Sequence, residues 1–451
     1  MLIGKIRLIS ELKQAARYSK ADQTLIACQH SQQTIFRFSS GKIHQNFAEQ
    51  DITVWVKTSW HGRVGVATCS SLTKEALRRA VDSALAIAKL SGKSPAASFQ
   101  TNPLKKPLPV LQTHFAQTAQ QQPKERLTLL KNLWLTAEKT GLELAGSSTA
   151  GESELAVVGS GGLAVYQPFT AGGLRLVATS GKSSGFAAQS YRDSETLDAD
   201  ELLKRASDHC RRNRNQKKIP LGKYTVLIEP EAVAELVEWL SFIGFGAKQF
   251  YEKSSFMAGR IGDKIMGDNI TIRDDAADPA CLSMPFDFEG VPRKNVGLIE
   301  KGRAQRLVYD SHYGKLYHQP STGHALPYDE AEGPIATHLL VDPGKTPRAE
   351  MLKKMDRGLW ITRFHYVSGL LDTREALMTG LTRDGTFIVE KGKVVGAAKT
   401  LRFTQPVLKA FSQVIALSKE RRLVADPAQG FSSVVAPAML IRDFTFTGQT
   451  K

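Results

Sequence analysis

The sequence predicts an α+β chain, and three features carry that expectation. A clean amphipathic helix pattern occupies 73–90, period-two segments recur through the N-terminal half, and strands broken by tight turns dominate from residue 220 onward. The expected architecture is N-terminal α/β segments with small antiparallel sheets and amphipathic helices, then a β-rich domain of hairpins with few helices. With 451 residues, 42% hydrophobic and 23% charged, the chain can bury a large core and is neither disordered nor collagen-like.

In chain order, 34–38 alternates as a strand and 39–42 reads as a turn, with further strands at 52–56 and 63–68. In the helix at 73–90, Ala76, Leu77, Ala80, Val81, Ala84, Leu85 and Ala88 form the apolar stripe. Thr73 is its N-cap, because a hydroxyl there can accept a free first-turn amide. Residues 91–122 read as a linker holding Pro95, Pro103, Pro107 and Pro109, and a second helix follows at 124–140. Strands at 154–158, 164–167 and 173–179 and a helix at 199–212 complete a middle segment. The basic tract 211–218 joins it to the last. There, 224–229 reads as a strand and 231–245 as a helix. Hairpins at 297–303 and 387–393 both place Lys-Gly where the turn needs positive φ. These are similar local solutions rather than a repeat. The expected domains are 1–115 (ending in the Pro-rich linker), 116–219 and 220–451.

Lys and Arg number 60 against 44 Asp and Glu, a net charge of +16, which permits anionic partners without establishing one. The four cysteines, Cys28, Cys69, Cys210 and Cys281, form no CxxC pair and are too scattered for a disulfide framework. A reducing cytoplasm suits them. The opening MLIGKIRLISELKQ lacks the apolar run of a signal peptide, and Glu235, Glu238 and Lys248 interrupt the stretch 232–250 that comes nearest to a membrane span. The expectation is a soluble, cytoplasmic protein with no membrane segment.

None of the ten histidines precedes a glutamate, so HExxH and HExxxH zinc helices are absent. His312, His318 and His324 are evenly spaced, but on one extended strand each step would span about 20 Å, too far for a shared ion. They read as surface or strand-end residues, and no metal is expected. Gly181-Lys-Ser-Ser-Gly185 matches a nucleophile elbow in letters. The following helix is weak, however, and a Ser-Gly turn between strands explains it better. Asp287 and Glu289, in Phe286-Asp-Phe-Glu-Gly-Val-Pro-Arg293, could act as paired acid and base or could simply make a turn. Arg363-Phe-His-Tyr366 and the expected hairpin turn Thr382-Arg-Asp-Gly385 could each line a groove or be solvated turns. The basic tract has no interleaved aromatics and no nucleic-acid motif accompanies it, which favours a solvated linker.

Several blocks in order resemble the TldD/PmbA (TldE) family, also called modulators of DNA gyrase. They are Phe38-Ser-Ser-Gly-Lys-Ile-His-Gln-Asn46, Gly62-Arg-Val-Gly-Val-Ala67, Ser255-Phe-Met-Ala-Gly-Arg-Ile-Gly262, Pro285-Phe-Asp-Phe-Glu-Gly-Val-Pro292, Ser321-Thr-Gly-His-Ala325, Thr382-Arg-Asp-Gly-Thr-Phe387 and Leu401-Arg-Phe-Thr404. In that family TldD-type chains resemble zinc metallopeptidases, with HExxxH on a helix and a distant cysteine. TldE-type chains lack those ligands and pair with a TldD-type chain. The corresponding helix here, Ala234-Glu-Leu-Val-Glu-Trp-Leu-Ser-Phe-Ile-Gly244, has no histidine, and no cysteine follows Cys281. The resemblance therefore implies a TldE-like, non-catalytic subunit that holds unfolded or precursor peptide in an extended form. Its partner would be a TldD-type subunit or a second copy of itself, with no cofactor in this chain and any zinc in the partner. The groove candidates are Arg293, Ser321, Thr322, His324, Arg363, Arg383 and Asp384. Two alternatives stand beside it. One is a hydrolase without zinc, using His365 with Tyr366 or Asp287 with Glu289; the other is a basic, nucleic-acid-associated modulator.

Overall fold

The computed structural model describes residues 2–426 and 432–450. The first half contains, in order, α1 (Lys5–Ala16), β1 (Gln23–Ser39), β2 (Lys42–Trp60), β3 (Arg63–Cys69), α2 (Lys74–Leu90), α3 (Ala116–Ala119), α4 (Pro123–Glu138), β4 (Glu143–Gly159), β5 (Ala164–Ser180), β6 (Ser183–Tyr191) and α5 (Ala199–Arg212). The second half continues with β7 (Gly222–Ile228), α6 (Pro230–Leu240), α7 (Ala247–Tyr251), β8 (Ile272–Asp274), β9 (Val296–Glu300), β10 (Arg303–Ala304), α8 (Ser311–Leu316), β11 (His338–Val341), α9 (Arg348–Met351), β12 (Arg357–Asp372), β13 (Leu377–Glu390), β14 (Lys393–Ala397), β15 (Leu401–Pro406), α10 (Val407–Ser412), β16 (Val414–Val424) and β17 (Ser433–Gln449).

The strands between Gln23 and Tyr191 build one six-stranded antiparallel sheet in the order β3-β2-β1-β4-β5-β6, so strands on both sides of residue 115 share it through the β1–β4 ladder. Its two faces follow from the alternation of side chains along a strand. On one face Ile26, Cys28, Val54 and Val158 pack under α1 and α2, and Phe36, Phe38, Leu144 and Leu176 pack under α4 and α5. On the other face Leu25, Ala27, Trp55 and Leu155 meet Met284, Phe286 and Phe288 of the second half. That half forms an 11-stranded sheet. Within it β7 pairs β12 in parallel and β17 antiparallel, while β12, β13, β15 and β17 pair in turn, closing a five-stranded ring. Helix α6 packs into the ring's core, where Val233, Leu236, Val237 and Leu240 join Phe364, Met378, Phe403 and Phe444.

Local chemistry places several elements where the sequence predicts them. Thr73 caps α2 by accepting from the Ala76 amide at 3.3 Å, and all seven stripe residues are buried. Helix α5 spans the predicted residues. Lys301 and Gly302, like Lys391 and Gly392, all have φ between 47° and 74°, the two-residue turn with positive φ at both centres. Gly181 and Lys182 turn the chain from β5 into β6, and Ser183 is committed to the Cys210 carbonyl, so the elbow-like letters are a hairpin. Three expectations need correction. The strands at 164–167 and 173–179 are one strand, because β6 covers β5 only from Gly172 onward and Pro168 lies where that side has no ladder to break. The helix expected to reach residue 245 is α-helical only to Leu240, and Ser241–Phe245 is a π-helical turn. Thr382-Arg-Asp-Gly385 is no hairpin turn. It lies inside β13, where Asp384 (φ 54°) and Gly385 (φ 148°) form a bulge between the pairs Arg363–Arg383 and Ile361–Thr386.

Helix α2 lies close enough to β3 that a Cβ built on Gly65 would fall 2.1 Å from the Ala84 carbonyl oxygen and 2.3 Å from the Ala88 nitrogen. Gly65→Ala is therefore expected to push α2 outward and cost about 1–3 kcal/mol, read as a lower midpoint in urea unfolding. An unchanged midpoint would show that α2 shifts freely.

Candidate functional site

The buried, apolar character of the sheet's second face stops part-way along its strands. On β1, Leu25 and Ala27 are core, but the next residues on that side, Gln29, Ser31 and Gln33, line an open cavity. On β4, Leu155 and Val157 are core, while Gly151 and Ser153 line a smaller adjoining space. The result is a polar floor of amide and hydroxyl side chains. Facing it across about 660 Å³ are Met284, Phe288, Arg293, Pro327 and Ile335 from the second half, with Phe242 from the π-helical turn. At Ser432 the cavity meets a space of about 260 Å³ lined by Glu231, Ala234, Glu235 and Glu238 of α6. A further space of about 180 Å³ runs on to Phe186 and Arg363. Together they form one cleft between the sheet and the barrel.

Glu231, Glu235, Glu238 and Phe242 follow one another at intervals of four, three and four residues, so α6 turns one continuous face to the cleft. Burial, reinforced by the Glu238 charge, pushes the Glu235 carboxyl up to about 7. Several links hold the two walls together, among them the following. Trp55 Nε1 donates to Asp329 at 2.7 Å, and Lys57 Nζ pairs with Glu289 at 2.7 Å. At the far end Asp384 accepts from Ser184 of β6 at 2.6 Å and from Arg363 Nε at 2.8 Å, with the Arg363 guanidinium stacked 4.2 Å from the Phe186 ring.

Of the candidates read from the sequence, Arg293 and Arg363 line the cleft. The others stand behind its walls or away from them. Asp287 is fully buried and accepts the amides of Glu289, Val291 and Ala325, each at 2.9 Å, so it holds a turn. Burial and the adjacent Glu289 charge push its carboxyl up, against the Ala325 and Val291 amides and the Arg293 charge. Glu289 is bound by Lys57 and by the Ser311 amide at 3.0 Å. His324 is buried with Nε2 2.9 Å from Asp274, and Thr322 Oγ1 lies 2.9 Å from its Nδ1. Ser321 Oγ donates to the Tyr309 carbonyl at 3.3 Å. Arg383 is half-exposed beside Asp384. His365 meets Tyr366 in a tilted ring contact, centroids 4.0 Å apart, and Tyr366 projects from a bulge with φ 51° and is 77% exposed. Of the evenly spaced histidines expected at the surface or at strand ends, His324 is instead buried, His312 lies in α8 and His318 adopts positive φ after that helix. Sequence reasoning missed the floor residues Gln29, Ser31 and Gln33 and the α6 carboxylates. The spacing of Glu231, Glu235, Glu238 and Phe242 was the signal for the latter.

The cleft-facing helix can be tested for a metal. A HExxxH site needs histidines one before and four after the glutamate. Those places hold Pro230 and Glu235 around Glu231, Ala234 and Trp239 around Glu235, and Val237 and Phe242 around Glu238. Among the described residues no group of three or more His, Cys, Asp and Glu could hold a metal ion. The buried Cys281 thiol is pushed up to about 12, away from the thiolate a metal needs. The residues present do not fit a zinc centre.

An antiparallel sheet layered under four helices, joined through a cleft to a strand-closed barrel with a helix in its core, defines a fold class with solved members. The crystal structure of TldE from Thermococcus kodakarensis superposes with a TM-score of 0.86 at 20% identity, covering 98% of this chain and 100% of that one. Residues 221–448 match the family described as PmbA/TldA metallopeptidase C-terminal domain, and the chain belongs to that family. An uncharacterized protein from Methanocaldococcus jannaschii is 32% identical over 139 residues, 29% of this chain and 33% of that protein. A protein named metalloprotease from Methanothermobacter thermautotrophicus is 22% identical over 257 residues, 55% of this chain and 56% of that protein. The chain thus spans about a third to a half of the length of these curated relatives. Among the described residues no helix is long and apolar enough to cross a membrane.

Proposed function

We propose that this chain is a TldE-like component of a TldD/TldE-type metallopeptidase system, one that holds extended, unfolded or precursor peptide without cleaving it alone. One observation carries the reading. The helix that faces the cleft offers Ala234 and Trp239 where a zinc helix needs histidines, while the cleft itself keeps a polar floor for a peptide backbone. Without such donors nothing on α6 lowers the pKa of an attacking water or polarises a peptide carbonyl. Glutamine and serine side chains on the floor can pair with backbone N–H and C=O groups whatever the peptide's sequence, the kind of recognition an extended segment invites. A TldD-type subunit, or a second copy of the chain, would complete the catalytic chamber, and the cytoplasm is the expected setting.

The purified chain, dialysed against trace zinc, is expected to retain close to none by elemental analysis. It should bind a fluorescein-labelled unfolded casein fragment without cutting it, and cutting should begin when a TldD-type subunit is added. Hydrolysis by the chain alone that a chelator abolishes would overturn the proposal.

A further inference from the structure

The charge lining the cleft differs in sign from the chain as a whole. Three of its arginines are already matched to an aspartate, Arg293 to Asp274 at 3.3 Å, Arg175 to Asp426 at 3.3 Å, and Arg363 to Asp384, while Arg192, in the small space beside the floor, donates to the Gln112 carbonyl at 3.1 Å and the Ser283 hydroxyl at 3.2 Å. Glu231 is likewise answered by Arg205 and Arg422. Six other lining carboxylates, those of Glu49, Asp51, Glu235, Glu238, Glu330 and Glu332, make no ion pair among the described residues. Glu332 Oε2 is buried with no hydrogen-bond partner. Desolvation and then the adjacent Glu332 carboxyl hold the Glu330 carboxyl up, so the two acids crowd one another. Beside them on the α6 face, Phe242 stays 39% exposed, an aromatic ring within an acidic wall. An aliphatic stem ending in a cation matches such a surface. The stem covers the ring, the charge meets its face or the nearby carboxylates, and the unpaired acids are relieved.

We propose that the cleft selects extended peptides bearing lysine or arginine side chains, the cations being received between the α6 glutamates and the Glu330–Glu332 wall while the Gln29–Ser31–Gln33 floor holds the backbone. This rests on the peptide-binding reading above. A net charge of +16 repels cationic peptides at long range, so a preference for them must come from this local lining and not from the chain's overall field.

The test uses the full chain and three fluorescein-labelled decapeptides of alternating Ser–Lys, Ser–Gln and Ser–Glu, followed by anisotropy at low and high salt. The Ser–Lys peptide is expected to bind about tenfold more tightly than Ser–Gln at low salt, with Ser–Glu weakest and the advantage shrinking as salt rises. The double variant E235Q/E238Q should cut the advantage to about threefold or less. The pair E330Q/E332Q, on the opposite wall, should do the same if either variant proves unstable. Equal binding of Ser–Lys and Ser–Gln, or tightest binding of Ser–Glu, overturns the selection of cations and leaves peptide binding standing. Binding of none of the three overturns both.

Discussion

Replacing Lys57 by Met is expected to lower the free energy of unfolding by about 3–5 kcal/mol at neutral pH, the loss seen when one partner of a buried ion pair is removed. Lys57 rises from β2 and reaches Glu289 in the opposite wall, with side-chain exposures of 17% and 2%. Its ammonium lies over the rings of Phe99 and Tyr328, 5.3 and 5.5 Å from the centroids. Methionine keeps most of that apolar packing and removes only the charge. What remains is a buried carboxylate whose chief counter-charge is gone. The Lys57 charge outweighs burial and holds the Glu289 carboxyl below its usual range, so in the variant Glu289 must take up a proton or stay charged in a dry site. Urea unfolding measures the loss. The double variant K57M/E289Q should recover much of it, because no charge is then stranded. If the double variant is as unstable as the single one, packing and not charge joins the sheet to the barrel here.

How far the sequence discloses this molecule depends on whether a signal is local. Helix α2 was legible because its cap and its stripe lie within 18 consecutive residues and each acts on its own neighbours. The Lys-Gly hairpins were legible for the same reason. The first part of β1 was not, because Leu25, Ile26, Ala27 and Cys28 are all fully buried, one pair under the helices and the other against the second half. A strand covered on both faces shows no alternation. Only from Gln29 onward, where the far wall recedes, does one face turn polar, and that change marks the cleft floor. The pairing of Asp287 with Glu289 illustrates the opposite problem. Two carboxylates two residues apart read equally as acid and base or as a turn, and the three amides that Asp287 accepts come partly from Ala325, 38 residues away. Arg363 and Asp384 were each singled out, but their union depends on the register of β12 against β13 and on Ser184 from the other sheet. The family blocks marked both regions without disclosing which residues face the cleft.

Behind the cleft wall a second buried cluster should make the fold sensitive to acid. Asp274, fully buried, receives the His338 amide at 2.8 Å, Arg293 Nη2 at 3.3 Å and a close approach from His324 Nε2 at 2.9 Å. His338 sits beside it, with Nδ1 3.0 Å from the Thr337 hydroxyl and Nε2 buried without a partner. Burial, then the Arg293 charge, pushes the His338 imidazole down to about 3 and lowers His324 in the same way. The unfolded chain takes up a proton at each of these rings near pH 6.5, whereas the folded one refuses it. Stability contributed by the neutral rings is thus complete above about pH 6.5 and drains away as pH falls toward 3. Asp274 acts in the same direction, since the Arg293 charge overcomes burial and holds its carboxyl far below the usual range, a gain lost only in stronger acid. Asp287 opposes them, because its raised carboxyl favours the fold as pH drops. The decisive quantity is therefore a difference between variant and parent. Between pH 7.5 and 4.5 His338 alone should account for about 2–3 kcal/mol of lost stability, two pH units below its unfolded pKa at about 1.4 kcal/mol each. His338→Gln keeps a group for the Thr337 hydroxyl and removes the titration, so its unfolding free energy, read from urea denaturation, should change less across that range than the parent's by this amount. Parallel pH profiles for the two proteins would mean that His338 protonates as readily in the folded chain as in the unfolded one, and that the wall behind the cleft is open to water.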